Sequence, residues 1–562
     1  MRKLFSAVLV SLLFTFSLGS VFQGRLVFGK SGLSSESSMV LPSDEQQIAA
    51  LVNGSRAYDY DLELENIAYE HYDFRSAGSL GANETANWIK GQFESFGLET
   101  WLEPFEFTNW TLLQKPSLII DQDGNQSTVN DQVAINSFQC EHYSWPTPNE
   151  GIFSDLVILP LPNATSYPEL GKNPINMTIW NATDITGKVL LIGREVRLTG
   201  KWLSPFVNKV YMQPPAAIVY TWWYSWMSFT PLLLSSMGGK MFWGLNIPVG
   251  SVNYNDGLWI RNSENATSSL SANVTIKAVI KSHGTHYNVV GKINGYEQPD
   301  KMVIISAHYD TVMCSGFCDN GAGTTGIIEL AKVIDEAIEE EIYEPKYTLL
   351  FVAFTAEELW LVGSAHYVKQ HKSDMANIKA VINLDCIGSN DLYVSQTPNS
   401  DLEQKIVQAA QDLGLSVNLE PPGGSDHESF MYPSDVNDMV LSNWGVDLGI
   451  SDATPVNASA MILSYPLLYR DLWEMGEAGW IHTTYDNSTS TETLNWVEAE
   501  DLGNHIKVTA LAIMRTSPNV VPEFPSSILV VAFMSLTLFV YVLVRKKYRL
   551  PKNSTLKRYS AS

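Results

Sequence analysis

The sequence predicts an α/β fold: an open mixed sheet flanked by helices, interrupted by a β-rich insert and closed by a membrane-spanning helix. Three observations carry this expectation. From residue 287 onward, short apolar runs of strand length alternate with helical stretches, the rhythm of a sheet covered on both faces. Between about residues 110 and 280 the rhythm changes to short strand-like runs divided by turns rich in Asn, Pro and Gly. Near the end, residues 526–544 carry no charge and are followed by Arg545, Lys546, Lys547 and Arg549.

In chain order, Arg2 and Lys3 precede an apolar run at 4–18, the layout of a secretory signal occupying residues 1–20. Residues 46–72 read as one helix. Residues 83–96 read as another, with Trp88, Ile89, Phe93 and Phe96 on one face and a stop at Gly97. Residues 98–107 read as a strand. Within the insert, 188–192, 216–220 and 247–252 are strand candidates, and the Trp-rich run 220–226 reads as insert core or a domain contact. After it come strands at 288–293 and 302–307, a long helix at 322–342, a nearly all-apolar central strand at 347–354 and a further buried strand at 380–384. The expected division is a signal (1–20), the first part of the main domain (44–109), the insert (110–280), the rest of the main domain (281–518), the spanning helix (526–544) and a basic tail (545–562).

Length and charge narrow the function classes. At roughly 150 residues per domain, 562 residues predict three or four domains. Lys plus Arg is 36 against 60 for Asp plus Glu, a net charge of −24, which disfavours nucleic acid as a partner. Four cysteines exclude a disulfide scaffold. The uncharged run at 526–544 would reach about 28 Å as a helix, close to the hydrocarbon thickness of a bilayer. The basic tail behind it places the C-terminus in the cytoplasm and the body outside the cell membrane, a single-pass arrangement. Eleven Asn-x-Ser/Thr sequons between Asn53 and Asn487 fit a glycosylated exterior.

The chemistry-bearing residues gather where strands end. His308 and Asp310 follow strand 302–307, Asp319 precedes the long helix, Glu357 and Glu358 follow strand 347–354, Asp385 follows strand 380–384, and His482 lies near the end of the domain. Two histidines and three carboxylates form the nitrogen and hard-oxygen set of a catalytic zinc, and five ligands suffice for two cations with one shared. Two such cations can together hold one water and polarise a carbonyl. One carboxylate must stay free of metal to act as general base, and the adjacent Glu357 and Glu358 can divide those tasks. Gly321 and Gly323 are read as turn glycines beside Asp319, and Gly363 and Gly388 as serving packing or turns. His142, His283, His286, His366, His371 and His505 are read as surface or core residues.

Six short motifs occur in order: HYD, CDNGAG, TAEELWLVGS, NLDCIG, GSDHESF and IHTTYD. In this the chain resembles the co-catalytic zinc metallopeptidases that include bacterial leucyl aminopeptidases, aminopeptidase Y and glutamate carboxypeptidase II. The resemblance covers about residues 288–514 and the segment 75–97. It implies the zinc exopeptidase fold and two zinc ions, with His308 and Asp385 on one, Glu358 and His482 on the other, and Asp319 bridging. It makes Glu357 the general base, has Asp310 hydrogen-bond His308 and set its tautomer, and places Ser425, Asp426 and His427 beside the substrate pocket. The insert segments DITGKVLLIGR, AAIVY and IPVGSVNYNDG resemble a protease-associated (PA) domain, which shapes substrate access. Cys314 and Cys318 flank the loop before Asp319. Their spacing is compatible with zinc, and a local disulfide is the expectation for an exported chain.

The function expected is that of a membrane-anchored extracellular aminopeptidase acting on terminal peptide bonds through a water shared by two zinc ions. A carboxypeptidase of the same kind is the alternative, although it needs an arginine cluster for the substrate carboxylate and only Arg470 occurs between residues 381 and 486. Two further readings are a non-catalytic receptor-like ectodomain, which would have lost ligands, and acyl transfer of the glutaminyl-cyclase type. The sequence carries no signal for an oligomeric state.

Overall fold

The computed structural model describes residues 43–122, 132–159, 177–193, 200–221, 243–266, 270–389, 391–421, 424–465, 481–489 and 497–520. The expected signal (1–20), the spanning run (526–544), the basic tail and positions 222–226 of the Trp-rich run lie outside the described residues. Among the described residues no helix is long and apolar enough to cross a membrane.

Where one helix was expected over 46–72 there are two, α1 (Ser43–Leu51) and α2 (Gly54–Glu70). The break falls at Asn53, whose side chain caps α2 by accepting the Arg56 N–H at 3.1 Å. Helix α3 (Leu80–Ser95) begins earlier than its apolar pattern because Ser79 caps it, accepting from the Ala82 N–H at 3.0 Å. It gives way after Phe96 to the left-handed Gly97.

The main sheet has eight strands: β1 (Glu99–Leu112), β2 (Ala278–Ile293), β3 (Gln298–His308), β4 (Tyr347–Phe354), β5 (Ile378–Leu384), β6 (Asp391–Ser395), β7 (Val417–Glu420) and β8 (Ser459–Tyr465). Their spatial order is β1-β2-β4-β3-β5-β8-β6-β7. At its centre β4, β3, β5 and β8 run parallel, while β1–β2, β2–β4 and β8–β6 are antiparallel, so the sheet is mixed. Helices α4 (Gly323–Glu339), α5 (Val362–Gln370), α6 (Ser400–Asp412), α7 (His427–Met431), α8 (Pro433–Trp444) and α9 (Ala499–Thr516) complete the domain.

Alternation along the central strands explains their apolar runs. Leu349, Phe351 and Ala353 of β4 enter a core shared with α1, α3, α4, α6 and α9. Leu350, Val352 and Phe354 enter a second core shared with α5, α7, α8 and the insert. A strand buried on both faces favours apolar residues at every position and admits a polar one only where it finds a hydrogen-bond partner, as Ser306 of β3 and Asn383 of β5 do.

The insert has its own eight-stranded sheet within residues 117–275. It is the β-rich insert expected, and in its middle Ile152–Ile158, Val189–Gly193, Ala217–Thr221 and Val249–Val252 pair in parallel. Parallel neighbours need crossovers, and helix Gly200–Met212 connects the second to the third of them. Strands β1 and β2 form a ribbon paired from Glu99 with Lys292 to Leu112 with Ala278, with one register shift between Phe107 and Asn109. This ribbon carries the chain between the two sheets.

Candidate metal centre

The parallel strands β3, β4 and β5 end at the same edge of the sheet, and their carboxyl ends deliver the polar side chains. His308 is the last residue of β3, Glu357 and Glu358 lie in the loop after β4, and Asp385 follows β5 directly. Asp319 comes from the segment Phe317–Ala322 that leads into α4. His482 arrives from residues 481–489, far along the chain.

These residues form two overlapping groups. The ligand atoms of His308, Asp319 and Asp385 lie within 4.8 Å of one another, as do those of Asp319, Glu358 and His482. Asp319 is common to both and divides its oxygens: Oδ1 is 3.3 Å from His308 Nε2, and Oδ2 is 3.1 Å from His482 Nε2. His308 Nε2 also lies 3.6 Å from Asp385 Oδ1, and His482 Nε2 lies 3.2 Å from Glu358 Oε1. His308 Nε2 and Glu358 Oε1 are buried without a hydrogen-bond partner. Buried polar atoms are normally satisfied, and each of these points into a cluster of opposing donor groups. The residues therefore fit two cations of the zinc type sharing one carboxylate.

Crowding sets the protonation balance of the bare site. Burial opposes charge on His308, but Asp385 and Glu357 outweigh it and raise the imidazole well above its usual value. Burial likewise opposes charge on His482, and Glu358 and Asp319 reverse the effect. Asp319 is held well below the usual carboxylate range, because close contact with both imidazoles overcomes its burial. Glu357 Oε2 is 4.0 Å from His308 Nε2 and belongs to neither group. Burial raises its carboxyl well above the ordinary range against the pull of His308, and Glu358 beside it adds to the rise.

Asp310 differs from expectation. His308 Nδ1 is 3.0 Å from the main-chain carbonyl of Asp310, whereas the Asp310 carboxylate lies farther off at 3.7 Å. That carboxylate is engaged elsewhere: Oδ1 accepts the Glu357 N–H at 3.1 Å, just after the chain turns through the left-handed Ala356. Residue 310 still faces His308 Nδ1, but through its backbone, while its side chain anchors Glu357.

Ser425 is tied into the framework rather than left open. Asn383 Nδ2 donates to its Oγ at 2.8 Å, and Ser306 Oγ donates in turn to Asn383 Oδ1. Asp426 is buried, and burial lifts its carboxyl to about 7 despite the pull of His308 and of the neighbouring Ser364 hydroxyl. His427 is buried with both ring nitrogens unpaired, and burial depresses it to about 3. His427 enters neither metal-binding group.

The expected Cys314–Cys318 disulfide is absent, and all four cysteines are free thiols. Cys318 instead lies beside Cys386 on the loop after β5, near enough for the two thiols to shift each other's ionisation. Gly321 and Gly323 also act differently from turn glycines. Neither has a positive φ, and a side chain at Gly321 would place its Cβ 2.0 Å from Asp61 Oδ1. Sequence reasoning passed over Asn320. Its side chain joins two ligand loops, donating to the Leu384 carbonyl at 2.9 Å while its Oδ1 accepts from the Gly323 and Cys386 N–H groups. Its place beside Asp319 inside a recognised motif was the available signal.

Residues 288–499 match peptidase family M28. The chain is 30% identical over 259 residues to aminopeptidase YwaD of Bacillus subtilis (strain 168), covering 44% of this chain and 51% of the relative. It is 32% identical over 213 residues to a glutamate carboxypeptidase 2 homolog of Caenorhabditis briggsae, covering 32% of this chain and 26% of the relative. The chain thus spans about half of the first relative's length and about a quarter of the second's. Among solved structures, a zinc aminopeptidase from Bacillus subtilis superposes with a TM-score of 0.56 at 21% identity, over 83% of this chain and 98% of that one, a likeness of fold. The second sheet, within residues 117–275, is consistent with a PA-like insert in such a fold. The motif order, the strand-end geometry and the match agree: residues 288–499 are similar to peptidase family M28 and bring together the buried His, Asp and Glu groups of a metallopeptidase site.

Proposed function

We propose that the chain is a two-zinc aminopeptidase, removing residues from the amino terminus of peptides. The observation that carries this reading is the pair of ligand groups sharing Asp319. His308, Asp319 and Asp385 would hold one ion, and Asp319, Glu358 and His482 the other. Bound zinc supplies Lewis acidity, drawing electron density from a carbonyl oxygen and acidifying nearby water.

The chain's own residues do the rest. Glu357 is the general base: its carboxylate takes a proton from water and returns it to the departing amine nitrogen. Asp310 Oδ1 supports this by fixing the Glu357 main chain. Asp426, buried within electrostatic reach of His308, would accept a hydrogen bond from a free amino terminus. Among the described residues, Arg56, Arg75 and Arg515 are committed to carboxylates or main-chain carbonyls rather than held ready for a substrate carboxylate, while Arg470 lies outside the described residues. This favours the aminopeptidase over the carboxypeptidase reading. The PA-like insert would shape access to the site. We further propose that residues 526–544 anchor the chain in the cell membrane with the catalytic domain outside.

A panel of aminoacyl reporters and carboxyl-terminal reporter peptides, each with and without chelator, tests the reading. Chelator-sensitive release from the aminoacyl set is expected. Release only from the carboxyl-terminal set would replace it by the carboxypeptidase reading, and failure of the purified chain to take up zinc would favour a non-catalytic ectodomain.

A further inference from the structure

Asp486 lies four residues beyond His482 and belongs to neither ligand group. Its buried carboxylate is devoted to main chain. Oδ1 accepts the Cys318 N–H at 2.7 Å, and Oδ2 accepts the N–H of Asp319 itself at 3.1 Å. The Asp486 carbonyl also accepts from Ser315 Oγ at 2.6 Å. One residue on the His482 segment thus holds the loop that presents the shared carboxylate.

The same two loops are gripped from the N-terminal segment. Arg75 is fully buried, and its guanidinium donates to the carbonyls of Tyr309 and Gly316, both at 3.2 Å, and of Ser315. Its own N–H donates to Thr311 Oγ1 at 2.9 Å. Glu65 of α2 accepts from the Ser488 N–H at 2.9 Å and from Ser488 Oγ, two residues beyond Asp486. An arginine fork bound to consecutive carbonyls fixes a loop in a way that a single mobile charge does not.

Asp319 must present one oxygen to each imidazole, so a small slip of its backbone would spoil both groups at once. We propose that Asp486, Arg75 and Glu65 are positioning residues that set the place of Asp319 relative to His482 and thereby the zinc affinity of both halves of the centre. The inference rests on the two-zinc reading above. It gives the segment before β1, which lies outside the residues matching the family, a direct part in building the metal centre.

Zinc titration of the full-length chain, in competition with a chromophoric chelator of known affinity, tests it. Asp486→Asn keeps the shape but sets an amide NH₂ against one of the two N–H groups. Both zinc-binding steps should weaken together by roughly 10–100-fold, the usual cost of losing a partner that orients a ligand. Ser488→Ala, which loosens only the His482 segment, should weaken one step and spare the other. Arg75→Lys keeps the charge without the fork and should behave like Asp486→Asn, carrying the test should that variant not fold. Zinc affinity within about two-fold of wild type, alongside a lowered melting temperature, would reduce these residues to a structural role and overturn the inference. Wild-type protein that takes up no zinc would instead sink the two-zinc reading itself.

Discussion

Asp319 offers one oxygen to each imidazole, so its loss should be felt on both sides of the centre. Asp319→Ala is expected to empty both zinc positions together, measured as metal per chain after gel filtration; loss of one ion alone would rule out a shared ligand. Glu357→Gln should behave in the opposite way. It removes a proton acceptor that joins neither ligand group, so kcat should fall by about 10²–10⁴ with zinc content unchanged. The identity of these side chains was legible in the sequence, because metal chemistry admits few residue types and each lies at the end of an apolar run. The orientation of Asp310 was not legible. Whether its carboxylate meets His308 or the Glu357 N–H depends on where two loops 47 residues apart come to rest.

At the scale of elements, the site is made by where strands stop. Three ligand-bearing segments carry a non-glycine residue in the left-handed region: Ala356 before Glu357, Cys386 after Asp385, and His482 itself. Such conformations are costly and persist where the surroundings over-determine them. The loop after β4 is held from behind by α5, where a Cβ on Gly363 would come within 1.8 Å of the Thr355 carbonyl oxygen. Gly363→Ala should therefore push α5 off the loop that carries Glu357 and Glu358. A loss of about 1–3 kcal/mol is expected, the usual cost of overpacking, read from the urea midpoint and accompanied by reduced turnover. Unchanged stability would mean that the helix and loop move freely past one another. The need for glycine there was readable as packing, whereas the partner atom was not, since nothing local identifies it.

Over the whole molecule, stability should depend on pH and on metal. His286 and His366 lie buried against Phe105, with ring centroids 5.4 and 4.5 Å from it, and burial depresses each from 6.5 to about 4. Folded-state values below the unfolded value mean that the unfolded chain binds more protons between these limits. The stability these neutral rings permit is full above pH 6.5 and is lost as pH falls toward 4, on the order of 3 kcal/mol per histidine. Urea unfolding of metal-free wild type and His366→Phe at about pH 5 and about pH 7.5 isolates this contribution: the shift in midpoint on acidification should be less favourable to the folded state in wild type than in the variant. An equal shift in the two proteins would assign the acid sensitivity to other groups. Restoring zinc at about one hundred times its Kd should stabilise the folded chain by about 2.7 kcal/mol per site, seen as a rise in melting temperature that a chelator reverses. No such rise would show that the clustered imidazoles and carboxylates do not hold the ion.

Sequence alone determined the class of fold, the family resemblance and the set of chemically capable side chains. Apolar periodicity reports which segments are buried, and a demanding ligand set leaves its residue types in fixed motifs. Tertiary structure decided how the oxygens of Asp319 are shared, that Cys318 lies beside Cys386 rather than bridged to Cys314, that the middle of the insert is parallel, and that α2 and Arg75 brace the metal loops. Each of these turns on the approach of segments distant in the chain, to within a few ångströms, and no local pattern of residues encodes such a distance.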